Sequence, residues 1–223
     1  MSWLGCTGRG VRVAVVDSGV NPAHPHLTGV AGGVAITAEG ENGSYLDYLG
    51  HGTAVAAAIC EKAPEMELYA VKIFDRTLAT RIDRLIRALY WCASQRMVVV
   101  NLSIGTSNEA HRNALQHAVE RLGTAGCAIV AAANTLPGAL PGVIAVDADE
   151  DCPRDIYRVV GQQGRMVFRA SRFPRPIPGQ PVERNLQGVS FAVANMTGFV
   201  VRARQTIELG SLEATLAATA KSI

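Results

Sequence analysis

Several things are scarce in this chain, and each scarcity excludes something. Aromatic residues make up 5% and charged residues 18% of its 223 residues. Lys and Arg (21) nearly balance Asp and Glu (19), and a formal charge of +2 is too small to draw nucleic acid or an anionic membrane by bulk attraction. No apolar run approaches the roughly 18 residues of a membrane span. The five cysteines (Cys6, Cys60, Cys92, Cys127, Cys152) are odd in number and scattered, without a CxxC pair, so neither a disulfide framework nor zinc spacing is present. No repeat, low-complexity tract or linker divides the sequence, and one domain over residues 1–223 is expected. The start, "MSWLGCTGRGVRVAVVD", lacks a basic segment followed by a long apolar stretch. With Met1 retained, the expectation is a cytoplasmic chain with reduced thiols.

What is there is an alternation of strands and helices. "VRVAVVDSG", "MELYAVKIF", "MVVVNLSIG", "CAIVAAAN" and "VIAVDA" are short, β-branched, apolar runs that read as buried strands. Between them, "HGTAVAAAICEKA" and "RIDRLIRALYWCASQ" read as helices, the second with Ile82, Leu85, Ile86, Leu89 and Tyr90 at helical spacing. A helix is expected over roughly residues 108–122, another over "SFAVANMTGFVVRAR", and a last over "SLEATLAATA" with Ser211 as N-cap. The stretch 164–184, carrying Arg165, Arg169, Arg172, Arg175 and Arg184, reads as a loop, and its arginines form a candidate basic rim for acidic peptides. Such alternation implies a three-layer α/β/α fold with a mainly parallel central sheet. Ligands of these sheets sit beyond the carboxyl ends of the strands.

Polar residues gather at those ends. Asp17 closes the first strand, Ser103 and Gly105 follow "VVVNL", and Asn134 follows "AIVAAA". His51 opens one helix of small residues and Ser190 opens another. Singly, each is an ordinary turn or capping residue, and His24, His26, His111 and His117 have no evident task. It is the constellation that points to chemistry.

With those residues in view, the sequence resembles the subtilisin-like serine peptidases. "VAVVDSGVNPAHPHL" is similar to that family's aspartate motif, "GHGTAVAAAI" to its histidine motif, "VVVNLSIG" to its substrate strand, "AAAN" to its oxyanion segment and "GVSFAVANMTG" to its serine motif, all in the family's order. The resemblance implies Ser190 as nucleophile, His51 as general base, Asp17 as the residue that orients the histidine, and Asn134 with the Ser190 N–H as oxyanion donors. It also implies hydrogen bonds of roughly 3 Å from Ser190 to His51 and from His51 to Asp17. Ser103, Ile104 and Gly105, with Ala132 and Ala133, would flank an extended peptide or protein substrate. No cofactor, metal, nucleic acid or membrane is called for, and the sequence leaves the oligomeric state open.

The sequence departs from the pattern at Val189, Phe191, Ala194, Asn195, Ala56 and Ala57, none of which removes a catalytic group, and in two shortened loops. The short "CEKAPE" connection leaves no Asp or Asn ligands for the calcium loop common in the family. "NTLPG" replaces a longer wall of the primary specificity pocket, so that pocket is expected to be open there or rebuilt, and Pro137 matches a proline often preceded by a cis bond. An intracellular endopeptidase that trims a precursor peptide is the expectation. A peptide-binding module without turnover and a peptide cyclase or transpeptidase on the same scaffold are the alternatives.

Overall fold

The computed structural model describes residues 3–162, 164–181 and 184–221. Its centre is a nine-stranded sheet. The strands are β1 (Arg12–Asp17), β2 (Gly32–Ile36), β3 (Glu41–Asn42), β4 (Glu67–Lys72), β5 (Val99–Leu102), β6 (Ala128–Ala132), β7 (Val143–Asp149), β8 (Arg158–Gln162) and β9 (Arg165–Ser171), in the order β3-β2-β4-β1-β5-β6-β7-β9-β8. Pairings from β2 to β9 across the sheet are parallel, and only the edge strands β3 and β8 are antiparallel.

Alternation along the strands separates two apolar layers. Val13 and Val15 of β1 face α1 (His51–Lys62), α4 (Val189–Arg204) and α5 (Leu209–Thr219). Ala14 and Val16 face the other way, toward α2 (Ile82–Ser94) and α3 (Arg112–Thr124). Because both faces are covered, β1 and β5 are apolar along nearly their whole length instead of alternating in polarity. Helix α4 lies at the centre of its layer, buried on nearly every side from Phe191 to Val201, which accounts for its low polarity. Among the described residues, no helix is long and apolar enough to cross a membrane.

Strand β1 pairs with β4 on one side and β5 on the other. The chain therefore winds first toward β2 and then back past its own start, leaving a crevice at the carboxyl ends of β1 and β5, where such sheets bind ligands. Asp17 ends β1, and Ser103 follows the end of β5.

Three expectations are corrected. Residues 165–171 of the arginine-rich stretch form β9, because Val167, Phe168 and Ala170 bury between the arginines. Helix α3 starts at Arg112, after a short 3₁₀ turn (Glu109–His111) that Asn108 caps by accepting the Ala110 N–H at 3.1 Å. The last helix begins at Leu209 with Glu208 at its N-cap, so Ser211 lies inside it. Ile207 hydrogen-bonds straight back to Ala203 (2.8 Å), and the chain enters α5 earlier than the capping pattern suggested.

Candidate active site

The expected aspartate and histidine meet at the end of β1. Asp17 is completely buried, and its Oδ1 accepts the Ser18 N–H at 2.7 Å. The Nδ1 of His51 lies 2.8 Å from Oδ1 and 3.0 Å from Oδ2 of Asp17. A buried carboxylate requires a donor there, so Nδ1 carries the proton and the lone pair of Nε2 is left outward. Burial of the imidazole works against its charged form. The hydrogen bond and charge of Asp17, with the charge of Asp47, outweigh that, and the His51 pKa is raised above 6.5. The ring keeps 15% of its side-chain surface exposed.

Helix α1 reaches this position through two local devices. Gly52 passes so close to β1 that a Cβ there would lie 2.2 Å from the carbonyl oxygen of Gly19, so no larger residue fits directly after His51. The N-cap Gly50 has no side chain to offer the first turn, and Asp47 supplies the acceptors instead. Its Oδ1 accepts the N–H groups of Leu49 and Gly50 and the Ser18 hydroxyl, each at 2.9 Å; its Oδ2 accepts the Thr53 N–H (2.9 Å) and hydroxyl (2.6 Å). Ser18 in turn accepts the Gly52 N–H at 2.9 Å. Sequence reasoning does not single out Asp47. It stands four residues before His51 in a loop with no period, and only the folded chain aims it at α1.

Ser190 is the second residue of α4, after Val189, and follows Gly188 at φ 146° and ψ 177°, a conformation open essentially to glycine alone. Its backbone N–H belongs to the first helical turn, where such groups lack intrahelical acceptors. Phe191, the next residue, packs its ring against His51 with centroids 5.6 Å apart. The two helix starts are thus neighbours, yet the expected Ser190–His51 hydrogen bond is not formed. The Ser190 hydroxyl donates instead to the Ser103 carbonyl at 3.4 Å. That contact belongs to a polar string tying β5 to α4. Ser103 Oγ donates to Asn101 Oδ1 (3.0 Å), buried Asn101 donates to Thr197 Oγ1 (2.9 Å), and Thr197 donates to the Val193 carbonyl (2.7 Å).

A cavity of about 380 Å³ opens beside Ser190. Asn134 lines it, and so do all five expected substrate-flanking residues, Ser103, Ile104, Gly105, Ala132 and Ala133. The Asn134 side chain is solvent-facing and makes no hydrogen bond among the described residues. Opposite, a Cβ on Gly105 would fall 1.9 Å from Thr135 Oγ1, so the two segments touch. Thr106 and Leu136 bridge them with paired hydrogen bonds of 2.9 Å each way. The short 134–142 connection has rebuilt the pocket wall in this way, and the Leu136–Pro137 bond is cis.

The candidate basic rim is largely absorbed by the protein itself. Arg172 pairs with Glu150, Arg175 donates to the His26 carbonyl (3.1 Å), and Arg165 donates to the carbonyls of Gly138 (2.8 Å) and Ala133 (2.6 Å).

The chain is 34% identical over 164 residues to the minor extracellular protease Epr of Bacillus subtilis, covering 66% of this chain and 24% of Epr. It is 30% identical over 213 residues to the subtilisin of Bacillus pumilus (86% of this chain, 73% of the relative). Subtilisin E of Bacillus subtilis is also 30% identical over 213 residues (86% and 53%). The chain therefore spans much less than the full length of several relatives. A solved cold-adapted subtilisin-like serine proteinase shares the fold with a TM-score of 0.70 at 19% identity, over 96% of this chain and 82% of its own. The profile of the subtilase family matches residues 8–221, and the chain belongs to that family.

Proposed function

We propose that this chain is a serine endopeptidase. The observation that carries the reading is the His51–Asp17 pair, held at 2.8 and 3.0 Å by a buried carboxylate, next to the helix start that bears Ser190. Nε2 of His51 has no hydrogen-bond partner among the described residues, as a general base awaiting a proton requires. The Ser190 contact with the Ser103 carbonyl is long at 3.4 Å, and catalytic hydrogen bonds commonly tighten only when substrate binds.

In this mechanism a peptide lies along Ser103–Gly105, using backbone hydrogen bonds as an added strand does. Ser190 Oγ attacks the carbonyl carbon while His51 Nε2 takes its proton. Asp17 holds the resulting imidazolium. The carbonyl oxygen gains the negative charge and is received by the Asn134 amide and the Ser190 N–H, within the positive end of α4. Collapse breaks the C–N bond, His51 protonates the leaving amine, and a water deprotonated by His51 then cleaves the acyl-enzyme.

Selective trimming of a precursor peptide in the cytoplasm is the setting we propose. Five cysteines without a disulfide support a reducing compartment. One discrete cut in a candidate precursor is the expected product, against diffuse digestion of casein. A second reading, a peptide-binding module without turnover, draws on the Ser190 hydroxyl facing Ser103 instead of His51. Fluorophosphonate labelling separates the two: folded wild-type protein labels at Ser190 and Ser190→Ala does not, whereas an unlabelled wild type means a binding module.

A further inference from the structure

The cavity beside Ser190 contains one ionisable carboxylate. Asp147, near the end of β7, is partly buried and lines the cavity together with Ser190 and Asn134; no basic residue lines it. The short connection after Asn134 borders the same cavity through Thr135. Asp147 Oδ1 accepts the Ala148 N–H at 2.9 Å, and Oδ2 has no hydrogen bond among the described residues.

Cations are close by but directed elsewhere. Asp149, two residues on, receives Arg158 at 2.8 Å and Arg169 at 3.9 Å. Arg169 is the register partner of Asp147 on β9, yet its ion pair is with Asp149. Arg165 commits its guanidinium to the carbonyls of Ala133 and Gly138. Among the described residues, no Lys or Arg nitrogen lies within ion-pair distance of the Asp147 carboxylate.

We infer that Asp147 makes this cavity a receptor for the side chain of a lysine or arginine immediately before the cut bond. The inference rests on the peptidase reading above and specifies its substrates. Partial desolvation of a carboxylate in a cavity is unfavourable unless a cation arrives. A long basic side chain brings one while its methylene stem covers the apolar walls, Ile104, Ala132, Ala133 and Val193. An acidic side chain would meet like charge, and a purely apolar one would leave Oδ2 unpaired.

Two measurements test this. Short peptides with a free carboxyl terminus, ending in Arg, Lys, Phe or Glu, are titrated against Ser190→Ala protein, which binds without cleaving. Chromogenic peptides with the same four residues before the scissile bond are turned over by wild type and Asp147→Asn, whose thermal melts confirm folding. Arg and Lys peptides should lead Phe peptides in both binding and kcat/KM, by at least about tenfold, with Glu last. Asp147→Asn, which keeps an acceptor for Ala148, should remove most of that ratio. Equal or tighter binding of the Phe peptide, no binding of any peptide, or an unchanged ratio in Asp147→Asn overturns the inference. A basic preference in binding without cleavage or fluorophosphonate labelling leaves the inference standing and removes the peptidase reading.

Discussion

One oxygen of Asp47 accepts both the backbone N–H and the hydroxyl of Thr53, at 2.9 and 2.6 Å, two residues beyond His51. Because the N-cap Gly50 has no side-chain acceptor for α1, this carboxylate helps set where the helix starts and hence where the imidazole stands. Burial raises the Asp47 pKa, but the bonds from Thr53, Ser18 and Gly50 outweigh it and bring it below the usual carboxylate value. Its stabilisation is therefore present above that value and lost as pH falls through the folded pKa. Asp47→Ala should cost about 1–2 kcal/mol, as loss of a helix cap does, read by denaturant titration. Asp47→Asn should also move the acid limb of the activity profile to lower pH, since the Asp47 charge helps raise the His51 pKa. A purely structural role would leave that limb in place.

The pH profile itself follows from His51. Its pKa lies above 6.5, and the general base must be neutral, so kcat/KM should rise with pH around a midpoint above 6.5. Asp17→Asn removes the acceptor that selects the Nδ1–H tautomer, and kcat should fall about 10⁴-fold with KM much less changed. A profile flat from about pH 5.5 to about 8 (about one unit below to about one and a half units above the ordinary histidine value) would contradict His51 as base.

Much of this site was legible because the groups sit where regular elements end. Asp17 closes a β-branched run, and His51 and Ser190 each stand in the first turn of a helix whose N-cap is a glycine, so pattern and motif agree. Asp47 and Asp147 were not legible. Asp47 acts across a loop whose course depends on Ser18 and Thr53 coming together. Asp147 resembles a mere polar break in an apolar strand until the fold sets it in one cavity with Ser190. Strand β9 was hidden for a different reason. Its arginines reach outward to Asp149, Gly138 and Ala133, masking the buried Val167, Phe168 and Ala170 between them.

Asn134 provides a separable test of charge stabilisation. Its amide is uncommitted among the described residues and lines the Ser190 cavity, so its removal disturbs little of the fold. Asn134→Ala should lower kcat by about 10²–10³-fold while changing KM little, because the lost hydrogen bond forms mainly to the developing oxyanion. A comparable rise in KM would instead make Asn134 a ground-state binding residue.

Away from the groove, Lys62 at the end of α1 is buried against α4. Its Nζ donates to Asn195 Oδ1 at 2.6 Å and to Glu61 at 3.3 Å, and its stem packs so tightly on Gly198 that a Cβ there would lie 2.7 Å from it. Burial lowers the Lys62 pKa to about 8; Glu61 opposes the shift and Arg154 reinforces it. Unfolding returns the amine to its ordinary 10.5, so between these values the unfolded chain binds more protons and stability gained from this group increases with pH. The full gain is on the order of 3 kcal/mol for a shift of this size. Lys62→Met keeps the stem against Gly198 and removes the titration. Denaturant unfolding of the two proteins across this range should show the wild type gaining on the variant as pH rises from 8 to 10.5. The buried thiols titrate in both proteins and cancel from the difference, so a pH-independent difference would mean that Lys62 stays charged in the folded protein.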